Sequence, residues 1–334
     1  MGSIGFSHLD FVVKRYGHAA AVDIDERTLH RIQEKYGNTV ACFSSVSDFL
    51  GQANHSFQDF TAVVSNLGPD HAATVKQLLQ NGITKIYLEK PISVSIASCN
   101  ELKTLQVSHR ARIVGGFQRR TSGIVEAVRE TAEAECGGPP STIVVHGGAL
   151  DMSTNGIHWL DFATALFGAL PTSVIGIGSK DPINPRRSDL FFWDGVLTWE
   201  FPGHRRLSIT FDNSSSLSPS ISVYSRNGLI SIEDDGISVR TRDPASVKSF
   251  PAVYKYGPAK RRTRLSATQL GLVDGRKELF DLLEGTSDID ELFSESSDVT
   301  AGMLAGLWSL ENRKHVELPV DADHPSYKLE WNAS

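Results

Sequence analysis

Short apolar runs alternate with longer amphipathic segments through residues 1–119. The short runs predict buried strands, and the segments between them carry the start and stop signals of helices. The predicted strands cover 19–22, 40–43, 62–65, 83–88 and 111–117, and the predicted helices cover 6–16, a segment after the capping residue Asp25, 69–80 and 94–107. Such alternation predicts a doubly wound parallel α/β sheet.

The pattern changes after residue 120, where strands dominate. Predicted strands cover 142–145, 173–177, 195–201, 205–212, 221–225 and 229–233, with helices at 123–134, 156–167, 275–283 and 298–310. Leu207, Ile209 and Phe211 alternate with polar residues, which is typical of a sheet with one solvated face. We therefore predict two domains, 1–119 and 120–334, the second an α+β domain with a large, open, mainly antiparallel sheet. Residues 243–266 are predicted to form a long, solvated loop.

Composition limits the kinds of partner. The net charge is −6, and hydrophobic residues make up 40% of the chain, as in ordinary globular proteins. We expect no nucleic-acid partner, because nothing global attracts a polyanion. No apolar run reaches the roughly 18 residues of a membrane span, so no membrane partner is expected either. The three cysteines are widely spaced, which predicts a reducing, cytoplasmic location and no metal site.

The segment Gly2-Ser3-Ile4-Gly5 contains the last two glycines of a G-x-G-x-x-G dinucleotide loop. Such glycines let the backbone approach a pyrophosphate at the start of a helix. Asp23 ends the next strand, where an acid would bind the adenosine ribose. Its charge would repel a 2′-phosphate, so we expect NAD, with NADP as the less favoured cofactor. Alternatively, Asp23 is an ordinary acid at a helix entry, a role that Asp25 could also fill.

Glu89-Lys90-Pro91 directly follows a predicted buried strand. A charge pair at this place is costly unless both charges are used or paired. Ligands of open α/β sheets bind beyond the carboxyl ends of the strands. This tripeptide is therefore the principal candidate for a functional site.

A series of motifs resembles the Gfo/Idh/MocA (glucose–fructose oxidoreductase-like) family of NAD(P)-dependent oxidoreductases. The motifs occur in family order and extend over nearly the whole chain: Gly-Ser-Ile-Gly at 2–5, Ala-Val-Asp at 21–23, Val-Ser-Asn-Leu-Gly-Pro-Asp-His at 64–71, Glu-Lys-Pro at 89–91, Gly-Phe-Gln-Arg-Arg at 116–120 and Gly-Ile-His-Trp-Leu-Asp at 156–161. Each motif is weak alone, but together they are specific.

The resemblance implies a Rossmann domain over 1–119 and a substrate-binding and oligomerisation domain over 120–334. It also implies a cis bond before Pro91 and a homo-oligomer, either a dimer or a tetramer. The residues it assigns are Lys90 and His158 for catalysis; Gly2, Ser3, Ile4, Gly5, Asp23, Asn66, His71, Glu89 and Lys90 for the cofactor; and Gln118, Arg120, Thr154 and Asn155 for the substrate. For His71, Arg120 and Asp161, structural roles remain open.

The chain departs from the family pattern in two places. Many members carry an aspartate four residues before the histidine, whereas this chain has Thr154, with Asp151 as a nearby alternative acid. The apolar strand that should precede the glycine loop is also absent. Losing its buried residues would remove on the order of 10 kcal/mol, as much as the stability of a whole domain. We therefore expect a misassigned start or a truncation.

The residue types suit alcohol oxidation. A histidine transfers protons near neutral pH, and a lysine stabilises the reacting oxygen. The sequence thus predicts an NAD-dependent oxidoreductase that acts on a hydroxyl or keto carbon of a sugar, nucleotide-sugar or inositol. Two alternatives remain open: an NAD-binding regulator or inactive homologue, and a redox-neutral sugar-modifying enzyme that uses bound NAD.

Overall fold

The computed structural model describes residues 2–52, 57–181, 191–233, 236–242 and 261–331. Within these ranges, no helix combines the length and apolar character that crossing a membrane requires. The first half contains α1 (Ser3–Tyr16), β1 (Ala19–Val22), α2 (Glu26–Tyr36), β2 (Val40–Phe43), α3 (Val46–Gln52), β3 (Thr61–Val64), α4 (His71–Gln80), β4 (Lys85–Leu88), α5 (Ile96–His109) and β5 (Arg112–Gly115). This alternation confirms the predicted α/β class.

The parallel strands form two sheets instead of one. β1 pairs with β2, and β3, β4 and β5 form a separate three-stranded sheet in that order. In the part of the chain that the structure describes, no strand pairs with the second edge of β1 or of β3. A Rossmann sheet places its first strand at this position. Among the described residues, the position between β1 and β3 that this strand would occupy is therefore unfilled.

Helix α1 connects the two sheets. Its residue Leu9 packs in a cluster with Ala21, Ile32 and Val40, the core of the β1–β2 side. Its residues Phe11 and Val12 pack against the cluster of Tyr87 and Val114, on the β4–β5 side. One amphipathic helix thus buries apolar surface against both sheets, which is the main favourable term holding them together.

The second half begins with α6 (Gln118–Thr121) and α7 (Ile124–Glu135) and then builds a mixed, mostly antiparallel sheet. Its nine strands have the order β13-β12-β11-β10-β6-β9-β8-β7-β14. Their bounds are β6 (Thr142–Gly147), β7 (Ser173–Asp181), β8 (Phe192–Phe201), β9 (Arg205–Phe211), β10 (Ser220–Tyr224), β11 (Gly228–Glu233), β12 (Gly236–Thr241), β13 (Arg261–Ser266) and β14 (Val316–Glu317). The large open sheet predicted from the sequence is confirmed.

Helices cover one face of this sheet. They are α7, which packs against β11, α8 (Ile157–Phe167), which packs against β9, and α10 (Asp290–Asn312). A further helix, α9 (Gly275–Glu284), lies between them in the chain. α10 packs against β7 and also against α5 and β5, while α9 packs against β4 and α6. The carboxyl-terminal helices therefore pack against the β3–β4–β5 sheet of the first half. A domain boundary at 119/120 would assign these helices and that sheet to different domains. That boundary remains a prediction.

The long loop predicted for 243–266 is partly wrong. Residues 261–266 form the edge strand β13, which pairs with β12 along its whole length. The sequence reading also missed β12 itself. In β12 the apolar Ile237 and Val239 alternate with polar residues, but the strand is short and pairs with β11. β13 consists mainly of arginine and other polar residues and lacks such alternation, so pairing with β12 stabilises it. Residues 243–260 lie outside the described residues.

We predict that Leu9→Ala costs about 2–5 kcal/mol of unfolding free energy, because Leu9 is 5% exposed in the cluster that joins α1 to β1 and β2. Urea denaturation measures this loss. The matched control is Ile4→Ala in the same helix, where the side chain is 55% exposed, and its expected effect is within about 0.5 kcal/mol. Equal effects of the two variants would contradict the bridging role of α1.

Candidate active site

The buried carboxylate of Glu89 lies at the carboxyl end of β4. The ladder continues past the strand, since Glu89 N donates to Val64 O at 2.9 Å and Gly116 N donates to Leu88 O at 2.8 Å. The Glu89 carboxylate contacts His8 Nε2 of α1 at 2.7 Å. Burial raises the pKa of Glu89, but the hydrogen bond and charge of His8 and the charge of Lys90 outweigh it and leave the pKa below its ordinary value. Glu89 is therefore a paired carboxylate.

Gly116 provides the space that this carboxylate needs. A Cβ at position 116 would lie 3.0 Å from Glu89 Oε2, tighter than ordinary contacts allow. The glycine of the Gly-Phe-Gln-Arg-Arg motif thus lets a buried acid rest on the backbone of the neighbouring strand.

Lys90 reaches from this loop to the second half of the chain. The peptide bond between Lys90 and Pro91 is cis, as the family resemblance implied. Lys90 Nζ donates to the backbone carbonyl of Thr154 at 3.0 Å. The ammonium group therefore lies beside the turn that leads into α8.

His71 contacts the backbone of the same loop with its imidazole ring. Its Nδ1 lies 2.7 Å from Pro91 O, and its Nε2 lies 3.2 Å from Asn66 O. Burial lowers the pKa of this histidine, although the two carbonyls favour its charged form. Both ring nitrogens face the protein's own backbone, so these contacts assign His71 to loop support. A cofactor contact for His71 stays a prediction.

A π-helical turn, Met152–Gly156, precedes α8 and is organised by Asp151. The carboxylate of Asp151 accepts bonds from Thr154 N at 3.1 Å, Ser153 Oγ at 2.5 Å and Trp193 N at 2.8 Å. Asp151 has a positive φ of 62° and is 2% exposed. Its oxygens therefore hold the turn in place, and Asp151 does not replace the missing relay acid.

His158 follows this turn on the first part of α8 and is partly exposed. Its ring makes an edge contact with Phe117 at a centroid distance of 6.2 Å. Burial lowers the pKa of His158 well below its ordinary value, and the positive charges of Lys90 and Arg119 lower it further. At neutral pH the imidazole is therefore uncharged and able to accept a proton.

Arg120, predicted to bind substrate, is instead held in a buried ion-pair cluster. Its guanidinium bonds Asp161 through Nε at 2.9 Å and also through Nη2, and it bonds Glu295 at 2.5 Å. Burial raises the pKa of Asp161 to about 6, even though Arg120 favours the charged carboxylate. Arg120 thus joins α6, α8 and α10, and a substrate contact for it stays a prediction.

The remaining predicted substrate residues are also engaged. Gln118 Nε2 donates to Tyr87 Oη at 3.2 Å, and the amide of Asn155 donates to Leu150 O. Thr154 offers its backbone carbonyl to Lys90 and keeps its hydroxyl near the Asn155 amide, 3.4 Å away. Their substrate roles remain predictions.

The predicted dinucleotide residues lie at the start of α1 and the end of β1. The first helical bond is Phe6 N to Gly2 O, and Gly2 adds no side-chain cap, so the earlier N–H groups lack intrahelical acceptors. Asp25 caps α2 by accepting from Arg27 N, and Asp23 precedes it with Oδ1 bonded to Asp25 N at 2.8 Å. N–H groups without intrahelical acceptors at a helix start and an acid at the end of the following strand are groups that a dinucleotide can use.

Sequence reasoning missed two residues of this region, His8 and Arg119. His8 belongs to the buried face of α1 together with Gly5 and Leu9, a helical spacing that could have indicated it. Arg119 lies beside His158, and no sequence signal separates it from its neighbour Arg120. Only the packing of α6 decides which of the two pairs with acids.

We predict that Arg120→Met destabilises the fold by about 3–5 kcal/mol, because it leaves the fully buried Asp161 without its cation. Burial already raises the pKa of Asp161, and losing Arg120 raises it further. The folded state then keeps a proton that the unfolded chain releases, so the deficit grows as pH rises from about 4 to 8. Urea melts at pH 5 and pH 8 measure it.

The control for this prediction is Arg206→Met, which removes an exposed cross-strand pair with Glu200 at 3.6 Å. Its expected cost is about 0.2–1 kcal/mol. A deficit of Arg120→Met that is equally small, or that is independent of pH, would show that the buried cluster is not coupled as described.

Comparison with known proteins finds a family match for the first part of the chain. The family model "Oxidoreductase family, NAD-binding Rossmann fold" matches residues 1–117. Inositol 2-dehydrogenase from Burkholderia ambifaria is 25% identical over 167 residues, which is 48% of this chain and 47% of that protein. The chain thus matches about half the length of this curated relative.

Solved structures share the fold over nearly the whole chain. The WlbA dehydrogenase from Bordetella pertussis, in complex with NADH and UDP-GlcNAcA, has a TM-score of 0.70 at 18% identity and covers 96% of both chains. The transcriptional regulator Gal80p from Kluyveromyces lactis has a TM-score of 0.65 at 14% identity and covers 90% of this chain and 83% of its own. Residues 1–117 thus match the model of an NAD-binding oxidoreductase family with a Rossmann fold, and the chain as a whole shares the fold of these solved structures.

Proposed function

We propose that this protein is an NAD-dependent oxidoreductase that transfers a hydride between nicotinamide and a hydroxyl or keto carbon of a sugar, nucleotide-sugar or inositol. The observation that carries the proposal is the convergence of Lys90 and His158. Lys90 extends from the end of β4 to the carbonyl of Thr154, and His158 follows the same turn. A positioned base and a cation thus meet where ligands of such sheets bind.

The two side chains have complementary roles in this proposal. Neutral His158 accepts the proton of the substrate hydroxyl, a step that contributes roughly 10²–10⁴-fold. Lys90 places its positive charge beside the same oxygen and stabilises the negative charge that develops as the proton leaves. NAD, held by residues 2–5 and Asp23, would supply the acceptor for the hydride that leaves the carbinol carbon.

Position 154 carries a threonine and not the aspartate of many family members, so the proton that His158 accepts needs another route out of the site. Among the described residues, no carboxylate hydrogen-bonds to His158, and Asp151 is fully used by the turn. Position 154 instead contributes a backbone carbonyl that holds Lys90. We propose that His158, which is partly exposed, passes its proton to water.

The nine-stranded sheet supports the proposed homo-oligomer. Ile175, Ile177 and Val196 are 47%, 63% and 38% exposed, and Ile177 lies directly opposite Val196 on neighbouring strands. Adjacent exposed apolar side chains on an open sheet are typical of a protein interface.

A regulator that binds NAD without turnover is the second candidate. It is favoured by the absence of an acid at position 154. The fold likeness to Gal80p is compatible with it but decides nothing about activity. The activity assay described next separates the two candidates.

We predict that the purified protein reduces NAD with at least one member of a panel of inositols, sugars and nucleotide-sugars. Lys90→Met and His158→Asn should each lower kcat by about 10²–10⁴-fold, because each removes a group that acts on the reacting oxygen. Absorbance of reduced nicotinamide measures the rate. Lys76→Met, which removes an exposed ion pair with Glu101, is the matched control and should leave the rate unchanged. Full activity of Lys90→Met would refute the assigned roles, and tight NAD binding without turnover would favour the regulator.

We also predict a preference for NAD over NADP that depends on Asp23. Asp23→Ser removes the carboxylate that would repel a 2′-phosphate and should narrow the ratio of NAD to NADP affinity by about tenfold or more. Fluorescence titration with NADH and NADPH measures both affinities. Asp25→Ser serves as the control, since Asp25 is used as the cap of α2. An unchanged ratio in Asp23→Ser would remove Asp23 from the cofactor site.

A further inference from the structure

Arg119 is a cation near the candidate active site, and its side-chain hydrogen-bond donors have no acceptor among the described residues. Its guanidinium lies over the ring of Trp159 at 4.3 Å from the centroid, and Trp159 is itself 5% exposed. In the described ranges of the chain, Arg119 makes no side-chain hydrogen bond and no ion pair. Its side chain is nonetheless partly buried, and burial lowers its pKa, an effect that nearby Asp161 partly offsets. An arginine keeps its charge under such conditions.

The nearby acids do not satisfy Arg119. Asp161 gives Oδ1 to Arg120 twice, and Glu295 binds the same guanidinium. Asp161 Oδ2 is buried without a hydrogen-bond partner, so Arg119 does not reach even this vacant acceptor. Arg120 and its two acids carry a net charge of −1, so the charge of Arg119 is roughly balanced at longer range. What remains unmatched is its set of directional N–H donors.

The position of Arg119 places these donors near the proposed catalytic residue His158. Arg119 acts electrostatically on His158, as Lys90 does, and Trp159, on which it stacks, is the next residue of α8. Phe117, two residues before Arg119, contacts the His158 ring. Stacking on a buried indole fixes the guanidinium plane, which reduces the entropy lost when two parallel N–H groups bind a carboxylate.

We propose that Arg119 binds a carboxylate of the substrate, so that the substrate is an acidic sugar, a uronate or aldonate, rather than a neutral polyol. This inference rests on the proposed oxidoreductase function and narrows its substrate class. A carboxylate accepts two parallel hydrogen bonds from a planar guanidinium, which a hydroxyl of a neutral sugar cannot do. Arg119 is thus the specificity-determining residue, and Lys90 and His158 serve the reacting carbon.

The first experiment measures kcat/KM with NAD for matched pairs of acidic and neutral sugars: glucuronate with glucose, galacturonate with galactose, and gluconate with glucitol. The variants are Arg119→Gln, Arg119→Lys and the surface control Arg206→Gln. Thermal melts of each variant report whether it folds. We expect the wild type to prefer the acid of at least one pair, and Arg119→Gln to lose about 10- to 100-fold on that acid, as expected for a charged hydrogen-bonded pair.

A readout of charge complements the substrate comparison. Removing the cation at position 119 relieves one of the effects that lower the pKa of His158, so the acid limb of the kcat/KM profile should move to higher pH in Arg119→Gln. Arg119→Lys keeps the charge and should keep the limb, while it loses part of the preference for the acid because the bidentate geometry is gone.

A binding measurement that does not depend on turnover tests this inference separately from the proposed function. Calorimetry with glucuronate and with glucose, on the NAD-loaded protein, tests Arg119 even if no sugar is oxidised. Acid binding that Arg119→Gln abolishes would support the inference while the missing turnover counts against the proposed function. Oxidation of neutral sugars with an equal effect of Arg119→Gln on both members of a pair would overturn the inference and leave the proposed function standing. Absence of any preference for the acid in both assays would also overturn it.

Discussion

The candidate site depends on the buried carboxylate of Glu89 and on the contacts that it makes. It lies at the end of β4, bonds His8 of α1 at 2.7 Å and rests on the backbone of Gly116 after β5. An unpaired charge in this position would cost several kcal/mol, so the site requires α1 to be in place. The next residue, Lys90, then projects to the carbonyl of Thr154 in the second half of the chain. One buried charge thus couples the first helix, the parallel sheet and the turn that precedes α8.

The same helix compensates for an interrupted sheet. The β1–β2 pair and the β3–β4–β5 sheet share no backbone hydrogen bonds among the described residues, so side-chain packing must join them. Leu9 contacts one sheet, and Phe11 and Val12 contact the other. Hydrophobic packing is non-directional, so α1 can join the two sheets without the backbone hydrogen bonds that a strand between them would make. The predicted cofactor residues at the start of α1 and the end of β1 depend on this packing for their position.

Two neighbouring arginines show how tertiary structure divides chemical roles. Arg120 is neutralised by Asp161 and Glu295, and its cluster fastens α6, α8 and α10 together. Arg119 stacks on Trp159 and keeps its donors available near His158. The first arginine therefore stabilises the wall of the cleft, and the second gives that wall its proposed specificity. Lowering the pKa of His158 is a further consequence, since burial and two nearby cations both disfavour the imidazolium.

The sequence alone determined the fold class and the family resemblance, because apolar periodicity, glycine or proline signals and short motifs are local. It also placed Lys90 and His158, since both occur in recognisable motifs. It did not find the short strand β12 or the arginine-rich strand β13, which depends on pairing with β12, and it could not choose between Arg119 and Arg120. It likewise could not show that Asp151 is consumed by its own turn or that His8 pairs with Glu89. Those assignments depend on which groups meet across long sequence distances, and only the packed tertiary structure decides that.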